Sequence, residues 1–179
     1  MALITTVPPG EAQGAVKEGY EMFTQNIGII PKPMEMLSAS PALFELQLKR
    51  IHYFSRHARL SFALLAHIRY LVAHTLSYPH CADFNESLLK KQGLQEDDLK
   101  KMREDPSASL LEENENALLD YVVRAVKAPA SLTEWDFRRL KDLGWEDRDI
   151  VDALAQGVSM IDHAIMMQVL QMEQACLPA

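Results

Sequence analysis

The sequence predicts an all-α fold of about eight helices. Every convincing periodic segment has apolar residues at helical spacing, no sustained alternation indicates a strand, and proline or glycine separates one segment from the next. A length of 179 residues fits one domain, and no internal repeat is evident. We therefore expect a single helical domain over residues 1–179.

The N-terminal part contains two helical segments joined by an elbow. Apolar residues step by four and three from Val16 to Ile27, and Gly28 ends this pattern. Two prolines then predict an elbow over residues 29–40. Ser40 followed by proline has the composition of a helix start, which predicts a third segment immediately after it.

The central part predicts a pair of helices with a break between them. Ser61 is a candidate N-cap for a segment whose apolar residues follow one helix face, and Pro79 cannot continue that helix. A second stripe follows the break, and Gly93 is a candidate stop for it. The spacing predicts motif helices over 61–78 and 81–92.

The next segments are short and amphipathic. Acidic residues lead and basic residues follow over 95–103, in the order that the helix dipole favours. Ser109 and Glu112 have the spacing of a capping box, which predicts that the following long helix starts at Ser109. Pro129 marks its end.

The C-terminal part predicts two more helices. Thr133 and Asp136 again have capping-box spacing, and Gly144 closes that helix. The final segment, 147–175, is rich in methionine, a side chain suited to adaptable interfaces. Its wide apolar stripe predicts association between copies of the chain.

Composition excludes several classes of function. A net charge of −7 argues against nucleic-acid binding, which needs a basic surface. The N-terminus lacks a signal-peptide pattern, and the longest apolar stretch is interrupted by His67 and Arg69, so we expect no membrane partner. Two distant cysteines fit a reducing compartment, and we expect a cytoplasmic protein. No glycine-rich phosphate loop is present, and we expect no cofactor.

Cys81 is the strongest candidate for chemistry. It follows the proline break, where the first turn of a helix has unpaired N–H groups and the positive end of the helix dipole. Such a position favours the thiolate and lowers the pKa of a cysteine. Cys81 shares a helix stripe with Phe84, Asn85 and Leu88, so it should face inward with His80 beside it. The alternative is an inert buried cysteine that only packs.

Residues 60–94 resemble the core motif of the alkylhydroperoxidase D-like superfamily, which also contains the γ-carboxymuconolactone decarboxylases. That motif has a Leu-Ser start, a glutamate, a C-x-x-C pair and a histidine four residues after the second cysteine. Similar features also occur at the elbow 28–33, at the exit 91–94 and at 143–150. The resemblance therefore extends over nearly the whole chain and implies the helical fold of that family.

Three of the four motif positions differ from the family pattern. Ala66 stands at the glutamate position, Tyr78 at the first cysteine and Asn85 at the histidine, so that Cys81 alone remains. His80 matches members that have histidine between the cysteines. In the family the cysteine pair cycles between dithiol and disulfide while glutamate and histidine relay protons. The resemblance thus implies that this chain has lost the dithiol cycle.

The leading functional hypothesis is a thiol-dependent peroxidase with a role in antioxidant defence. Cys81 would be oxidised to a sulfenic acid, with His80 as proton donor or acceptor. An external thiol or Cys176 would resolve the oxidised cysteine. The substrate class is a peroxide or a small organic acid, and the resemblance implies a homo-oligomer, as family members form dimers, trimers or hexamers.

Two other hypotheses remain open. One is a non-redox small-molecule site, lyase-like or purely binding, framed by His67, His74, Tyr78 and His163. The other is an inactive oligomeric scaffold in which Tyr78 and Asn85 only fill space. His67 and His74 stand about 10 Å apart along one helix, too far to share a metal ion, so no metal site is predicted.

Overall fold

The computed structural model describes residues 2–172, except that the side chain of His80 lies outside the described part. Over this stretch the chain forms nine α-helices, three short 3-10 turns and no strand. Eight of these helices have at least nine residues, and the remaining one, Lys32–Leu37, has six. This confirms the predicted all-α fold of about eight helices.

The chain divides into two units. Unit 1 comprises Met1–His57 and His163–Ala179, and unit 2 comprises Ala58–Asp162. The last helix, α9 (Asp147–Val169), is continuous and contributes residues to both units. The single domain expected from the sequence stays a prediction.

Unit 1 is built on the contact between its first and third helices. Its complete helices are α1 (Gly14–Ile27), α2 (Lys32–Leu37) and α3 (Pro41–Ser55). The ring of Phe44 is fully buried and meets the ring of Tyr20 edge-on, with centroids 5.7 Å apart. Gly19 allows this approach, because a Cβ atom there would lie 2.5 Å from the ring of Phe44. The glycine therefore sets how closely the two helices pack.

The N-terminal segment of unit 1 is attached by hydrogen bonds. The backbone N–H of Val7 donates to the Ser38 hydroxyl at 2.8 Å, and the Tyr20 hydroxyl donates to the Val7 carbonyl at 3.1 Å. Ser38 is fully buried and donates in turn to the Glu35 carbonyl at 2.6 Å. These bonds satisfy polar groups that would otherwise be costly to bury.

Unit 2 is arranged around a buried central helix. Its helices are α4 (Phe62–Thr75), α5 (Pro79–Lys91), α6 (Glu96–Glu104), α7 (Glu113–Lys127), α8 (Glu134–Asp142) and the first part of α9. Helix α4 has nine buried residues and contacts α5, α6 and α7. Because α4 is enclosed on several sides, the polar side chains that it carries must find partners on neighbouring helices.

Helix α9 crosses its neighbours at Gly157. A Cβ atom at this position would lie 2.5 Å from Cγ1 of Val122 and 3.6 Å from Cγ2 of Val72. Both valines are fully buried. The absence of a side chain at Gly157 thus permits the close packing of α9 on α7 and α4 within unit 2.

Two of the predicted helix starts are observed. The Ser61 hydroxyl accepts a hydrogen bond from the backbone N–H of Leu64 at 3.0 Å. Thr133 and Asp136 form a reciprocal capping box at the start of α8. These caps satisfy N–H groups that have no partner within the helix.

The predicted helix start at Ser109 is wrong. Helix α7 begins at Glu113, and Ser109 instead ends the 3-10 turn Pro106–Ala108. The side-chain amide of Asn116 donates to the carbonyls of Ser109 and Leu111, at 3.3 and 2.9 Å. Asn116 therefore holds these residues in a loop and competes with the helical pattern.

One described helix, α9, is long and apolar enough to cross a membrane by length and composition alone. Half of its most apolar stretch is buried inside the protein. Such burial is also the mark of a core helix in a globular protein, which makes this weak evidence for a membrane span.

Asp136 links α8 to α7 as well as capping α8. The Arg124 guanidinium donates to the Asp136 carboxylate at 2.7 Å, and the backbone N–H and hydroxyl of Thr133 donate to it at 2.8 and 2.7 Å. These bonds, first among them that from Arg124, lower the pKa of Asp136 from its ordinary 3.8 to about 2.

We predict that Gly157→Ala lowers the free energy of unfolding. Alanine normally stabilises a helix by up to about 1 kcal/mol relative to glycine. Here the added methyl group would overlap Val122, and overpacking of this kind costs about 1–3 kcal/mol. Urea unfolding measures the difference, with Gly10→Ala as control because a Cβ atom there meets nothing. A stabilised Gly157→Ala protein would contradict the packing described for α9.

We predict that Asp136 makes stability depend on acid pH. Because its pKa is lower in the folded chain, its contribution is present above pH 3.8 and is lost as pH falls through about 2. The difference in urea midpoint between wild type and Asp136→Asn should shrink over this window. Asp97→Asn, which replaces an exposed carboxylate of the same unit, is the matched control measured alongside.

Candidate functional site

The turn between α4 and α5 determines where Cys81 lies. Helix α4 ends in a Schellman motif: Ser77 has a positive φ of 53°, its N–H donates to the His74 carbonyl, and the N–H of Tyr78 donates to the Ala73 carbonyl. Pro79 then occupies the first position of α5, where a missing N–H has no cost. The chain therefore reverses in a few residues.

Cys81 is the third residue of α5 and is buried, with 6% of its surface exposed. It faces inward, as the spacing of the helix stripe predicts. The sulfur thus lies in the first helical turn, where unpaired N–H groups favour a thiolate. Ala66, Tyr78 and Asn85, the other motif positions, are also buried, with exposures of 0%, 2% and 2%.

Asn85 joins the Cys81 turn to α4. Its Oδ1 accepts a hydrogen bond from Nε of Arg69 at 2.9 Å, and its Nδ2 donates to the Cys81 carbonyl at 2.8 Å. The two bonds fix the orientation of the amide, because only its oxygen can accept from a guanidinium. Asn85 therefore does more than fill the space at the histidine position of the motif.

Arg69 brings a positive charge to the site. Burial lowers the pKa of Arg69 to about 10, and the negative charge of Cys81 acts in the opposite direction. The guanidinium is still charged at neutral pH, and the two groups are close enough to interact electrostatically. The Arg69 cation and an ionised Cys81 favour each other's charged form, whereas burial of the thiol opposes its ionisation.

A second polar cluster lies next to the first. Arg103 donates to the Tyr70 hydroxyl at 2.6 Å, and this hydroxyl donates to the Glu86 carboxylate at 3.3 Å. Lys90 bridges Glu86 and Glu96, at 2.7 and 2.9 Å. Burial raises the pKa of Tyr70, so the hydroxyl keeps its proton at neutral pH. The cluster ties α4, α5 and α6 together beside Asn85.

His67 is a buried neutral base. Its Nδ1 donates to the Ala63 carbonyl at 2.7 Å, which leaves Nε2 as an acceptor. Burial lowers the pKa of His67, while the bond to Ala63 and the charge of Glu115 oppose this. Within the described chain Nε2 has no hydrogen-bond partner, although only 2% of the residue is exposed.

The remaining histidine candidates differ in burial and in the unit to which they belong. His74 lies at the end of α4 with much of its surface exposed, and its ring meets that of Tyr70 with centroids 4.7 Å apart. The partial desolvation of the ring, and then the charge of Arg103, lower the pKa of His74. His163 is half-buried and belongs to unit 1, whereas His67, His74 and Tyr78 belong to unit 2. The side chain of His80 and all of Cys176 lie outside the described residues.

No group of three or more metal-binding side chains occurs in the part of the chain that the structure describes. Around the Cys81 turn the described residues place one buried thiol, the cation of Arg69 and the amide of Asn85. Sequence reasoning missed Arg69 as a site residue and treated it only as an interruption of an apolar stretch. The signal that could have identified Arg69 is that the residues one helical turn before and after it are all apolar.

The comparisons with solved structures show which fold this is. An alkylhydroperoxidase D core from Ralstonia eutropha JMP134, an uncharacterized peroxidase-related protein, gives a TM-score of 0.79 at 15% identity, covering 96% of this chain and 91% of that chain. An uncharacterized peroxidase-related protein from Silicibacter sp. TM1040 gives 0.77 at 14% identity, covering 95% and 90%.

A third solved structure is a cysteine-to-alanine variant of the debrominase Bmp8 in complex with 2,3,4-tribromopyrrole. Its TM-score is 0.73 at 14% identity, and the match covers 96% of this chain and 92% of that chain. The sequence itself matches no known protein-family profile, and no curated protein is significantly similar to it. The likeness therefore rests on structure and confirms the predicted alkylhydroperoxidase D-like fold.

We predict that Tyr78→Cys restores a disulfide across the start of α5. Positions 78 and 81 are the N-cap and the third residue of the helix, and a disulfide needs Cα atoms about 4.4–6.8 Å apart. Mild oxidation followed by mass spectrometry should find a bond between positions 78 and 81. In the control Lys91→Cys the new thiol lies about 15 Å from Cys81 along α5 and should stay reduced. A folded Tyr78→Cys protein in which the thiols at positions 78 and 81 both remain alkylatable would refute the assignment of Tyr78 to the first cysteine position.

Proposed function

We propose that this chain is a thiol-dependent peroxidase that acts through Cys81 on the alkylhydroperoxidase D-like fold. The observation that carries the proposal is the position of Cys81, a buried thiol in the first turn of α5 with the charge of Arg69 acting on it. A thiolate, and not a thiol, is the nucleophile that attacks a peroxide. The charge of Arg69 and the first turn of α5 both favour that form, which supports the proposal.

The proposed first step is an attack of the Cys81 thiolate on one peroxide oxygen. A sulfur–oxygen bond forms, the oxygen–oxygen bond breaks, and the leaving alkoxide or hydroxide takes up a proton. The sulfur is oxidised to a sulfenic acid and the peroxide is reduced to an alcohol or water. His80 is the proposed donor of that proton, since it precedes Cys81 in the chain.

The proposed second step restores the thiol. A small external thiol condenses with the sulfenic acid, releasing water and forming a mixed disulfide, and a second thiol molecule then displaces Cys81. Cys176 is an alternative resolving group because it is the other cysteine of the sequence. Tyr78 has no sulfur to offer, which is why the dithiol cycle is not part of the proposal.

A second candidate function is the binding or conversion of a small molecule without peroxide chemistry. Two observations favour it: His67 is a neutral buried base with an unused Nε2, and one protein of the same fold is a debrominase in complex with 2,3,4-tribromopyrrole. A halogenated aromatic compound is therefore the second substrate class to test with this chain.

The proposal extends to assembly and location. Helix α9 leaves four large apolar side chains exposed along its length, namely Val151, Val158, Ile165 and Val169. Such a stripe suits a contact between copies of the chain, so we propose a homo-oligomer. A cytoplasmic location belongs to the same proposal, because the thiol must be returned to its reduced form.

We predict that Cys81 is required for peroxide consumption. Wild-type protein with hydrogen peroxide and a small thiol should consume peroxide, and dimedone should trap a sulfenic acid on Cys81. Cys81→Ser should fall to the rate of the thiol alone, since an alcohol cannot replace the thiolate.

The matched control is Cys176→Ser. It should keep the wild-type rate if an external thiol resolves Cys81, and lose turnover but keep the dimedone adduct if Cys176 does so. A wild-type rate equal to that of Cys81→Ser would reject the peroxidase. Conversion of tribromopyrrole by the same samples would then favour the second candidate.

A further inference from the structure

We infer that Arg69 is a positioning residue for the Cys81 thiolate, held in place by Asn85, so that a fixed guanidinium on α4 keeps this cysteine ionised at neutral pH. The inference rests on the proposed role of Cys81 as a reactive thiol. It goes beyond that role in two ways. Arg69 supplies the charge that makes the thiol reactive, and Asn85 fixes the orientation of Arg69.

The hydrogen bonds around Asn85 provide the geometry. Arg69 donates through Nε to Oδ1 of Asn85 at 2.9 Å, and Nδ2 of Asn85 donates to the carbonyl of Cys81 at 2.8 Å. Asn85 is 98% buried, as its exposed fraction is 2%. A single rigid amide therefore links the guanidinium of one helix to the turn of the other helix that carries the thiol.

Burial makes the charge effective. Cys81 is 6% exposed and Arg69 is only partly exposed, so water screens the two groups less than it would at the surface. A guanidinium remains charged in such surroundings better than an ammonium or an imidazolium. Arg69, with a pKa of about 10, thus carries its positive charge at neutral pH, where the thiol is proposed to react.

The side chain of His80 lies outside the described residues, and the other charged groups described near this turn on α4, α5 and α6 are engaged elsewhere or exposed. On α5 itself, Glu86 pairs with Lys90 and Arg103, and Asp83 is exposed to solvent. On α6, Arg103 donates to Tyr70 and pairs with Glu96.

On α4, His74 has a lowered pKa through burial and is neutral at pH 7. Arg69 is therefore the charged residue that the described contacts assign to the Cys81 turn.

Asn85 suits this role better than an ionisable side chain. An imidazolium in its place would be a second cation against Arg69, and a carboxylate would neutralise the guanidinium and repel the thiolate. A neutral amide offers an oxygen to the arginine and an N–H to the Cys81 carbonyl without adding charge. The pairing of Arg69 with Asn85 therefore leaves the full positive charge available to the sulfur.

The test measures alkylation of Cys81 by iodoacetamide as a function of pH, in a Cys176→Ser background so that one thiol reacts. The rate follows the thiolate fraction, and its midpoint should lie below the ordinary cysteine value of about 8.5. Arg69→Met should raise the midpoint by about one unit or more, because an adjacent opposite charge shifts a pKa by roughly 1–3 units. At pH 7 the rate should fall roughly tenfold.

Two further variants separate charge from structure. Arg69→Lys keeps the charge and should retain most of the low midpoint, although it loses the planar contact with Asn85. Asn85→Asp nearly preserves shape but adds a negative charge, and should raise the midpoint even when Arg69 is present. Arg138→Met, which removes an exposed arginine of the same unit, should leave the midpoint unchanged.

A second reagent gives a readout that a purely structural role would not change. Iodoacetate is negatively charged and iodoacetamide is neutral, so the ratio of their rates reports the local potential. The iodoacetate rate divided by the iodoacetamide rate should fall in Arg69→Met and Asn85→Asp. It should stay at the wild-type value in Arg138→Met. Circular dichroism of each variant establishes that it is folded before the ratio is compared.

The outcomes are decisive in each direction. A folded Arg69→Met or Asn85→Asp protein with the wild-type midpoint and ratio overturns the inference. If neither variant folds, a wild-type midpoint at or above about 8.5 overturns it and a clearly lower one supports it. Peroxide does not enter this assay, so a shifted midpoint without peroxide turnover would reject the proposed function and leave the role of Arg69 intact.

Discussion

The reversal of the chain between α4 and α5 is the constraint on which the site depends. The Schellman motif at Ser77 ends one helix, and Pro79 starts the next after three intervening residues. Because so few residues separate the helices, side chains in the second half of α4 have defined partners on α5. Arg69 meets Asn85 and Tyr70 meets Glu86. A longer connection would let α5 slide and would separate these pairs.

The backbone of Ser77 adopts a conformation that is unfavourable for a residue other than glycine. A positive φ is favourable for glycine and costs other residues about 1–2 kcal/mol. The hydrogen bonds of the motif offset that penalty, and Tyr78 carries the chain directly into the buried region, since only 2% of its surface is exposed. The turn is therefore determined by the packing of the helices that flank it as much as by its own residues.

Much of the fold follows from local patterns, whereas the site does not. Helical spacing, the Ser61 cap and the Thr133–Asp136 box predict elements that the structure contains, because each depends on neighbours in sequence. The cap predicted at Ser109 is wrong because Asn116, seven residues away, forms the competing hydrogen bonds.

Cys81 could be predicted to face inward, but its charge partner could not. The contact of Arg69 with Asn85 spans 16 residues and exists only after the two helices pack. The residue types therefore show that a thiol is buried, and only the tertiary structure shows what surrounds it.

The occupation of position 78 by tyrosine has a consequence for how such an enzyme would be controlled. A protein with a cysteine pair stores its oxidising equivalents internally and passes them on later. Here a phenol stands three positions before Cys81, where the family motif has its first cysteine. If an external thiol resolves Cys81, each oxidation waits for a molecule from solution, and turnover follows the abundance and redox state of the surrounding thiol pool. The rate of turnover would in that case depend on the concentration of the reductant as much as on that of the peroxide.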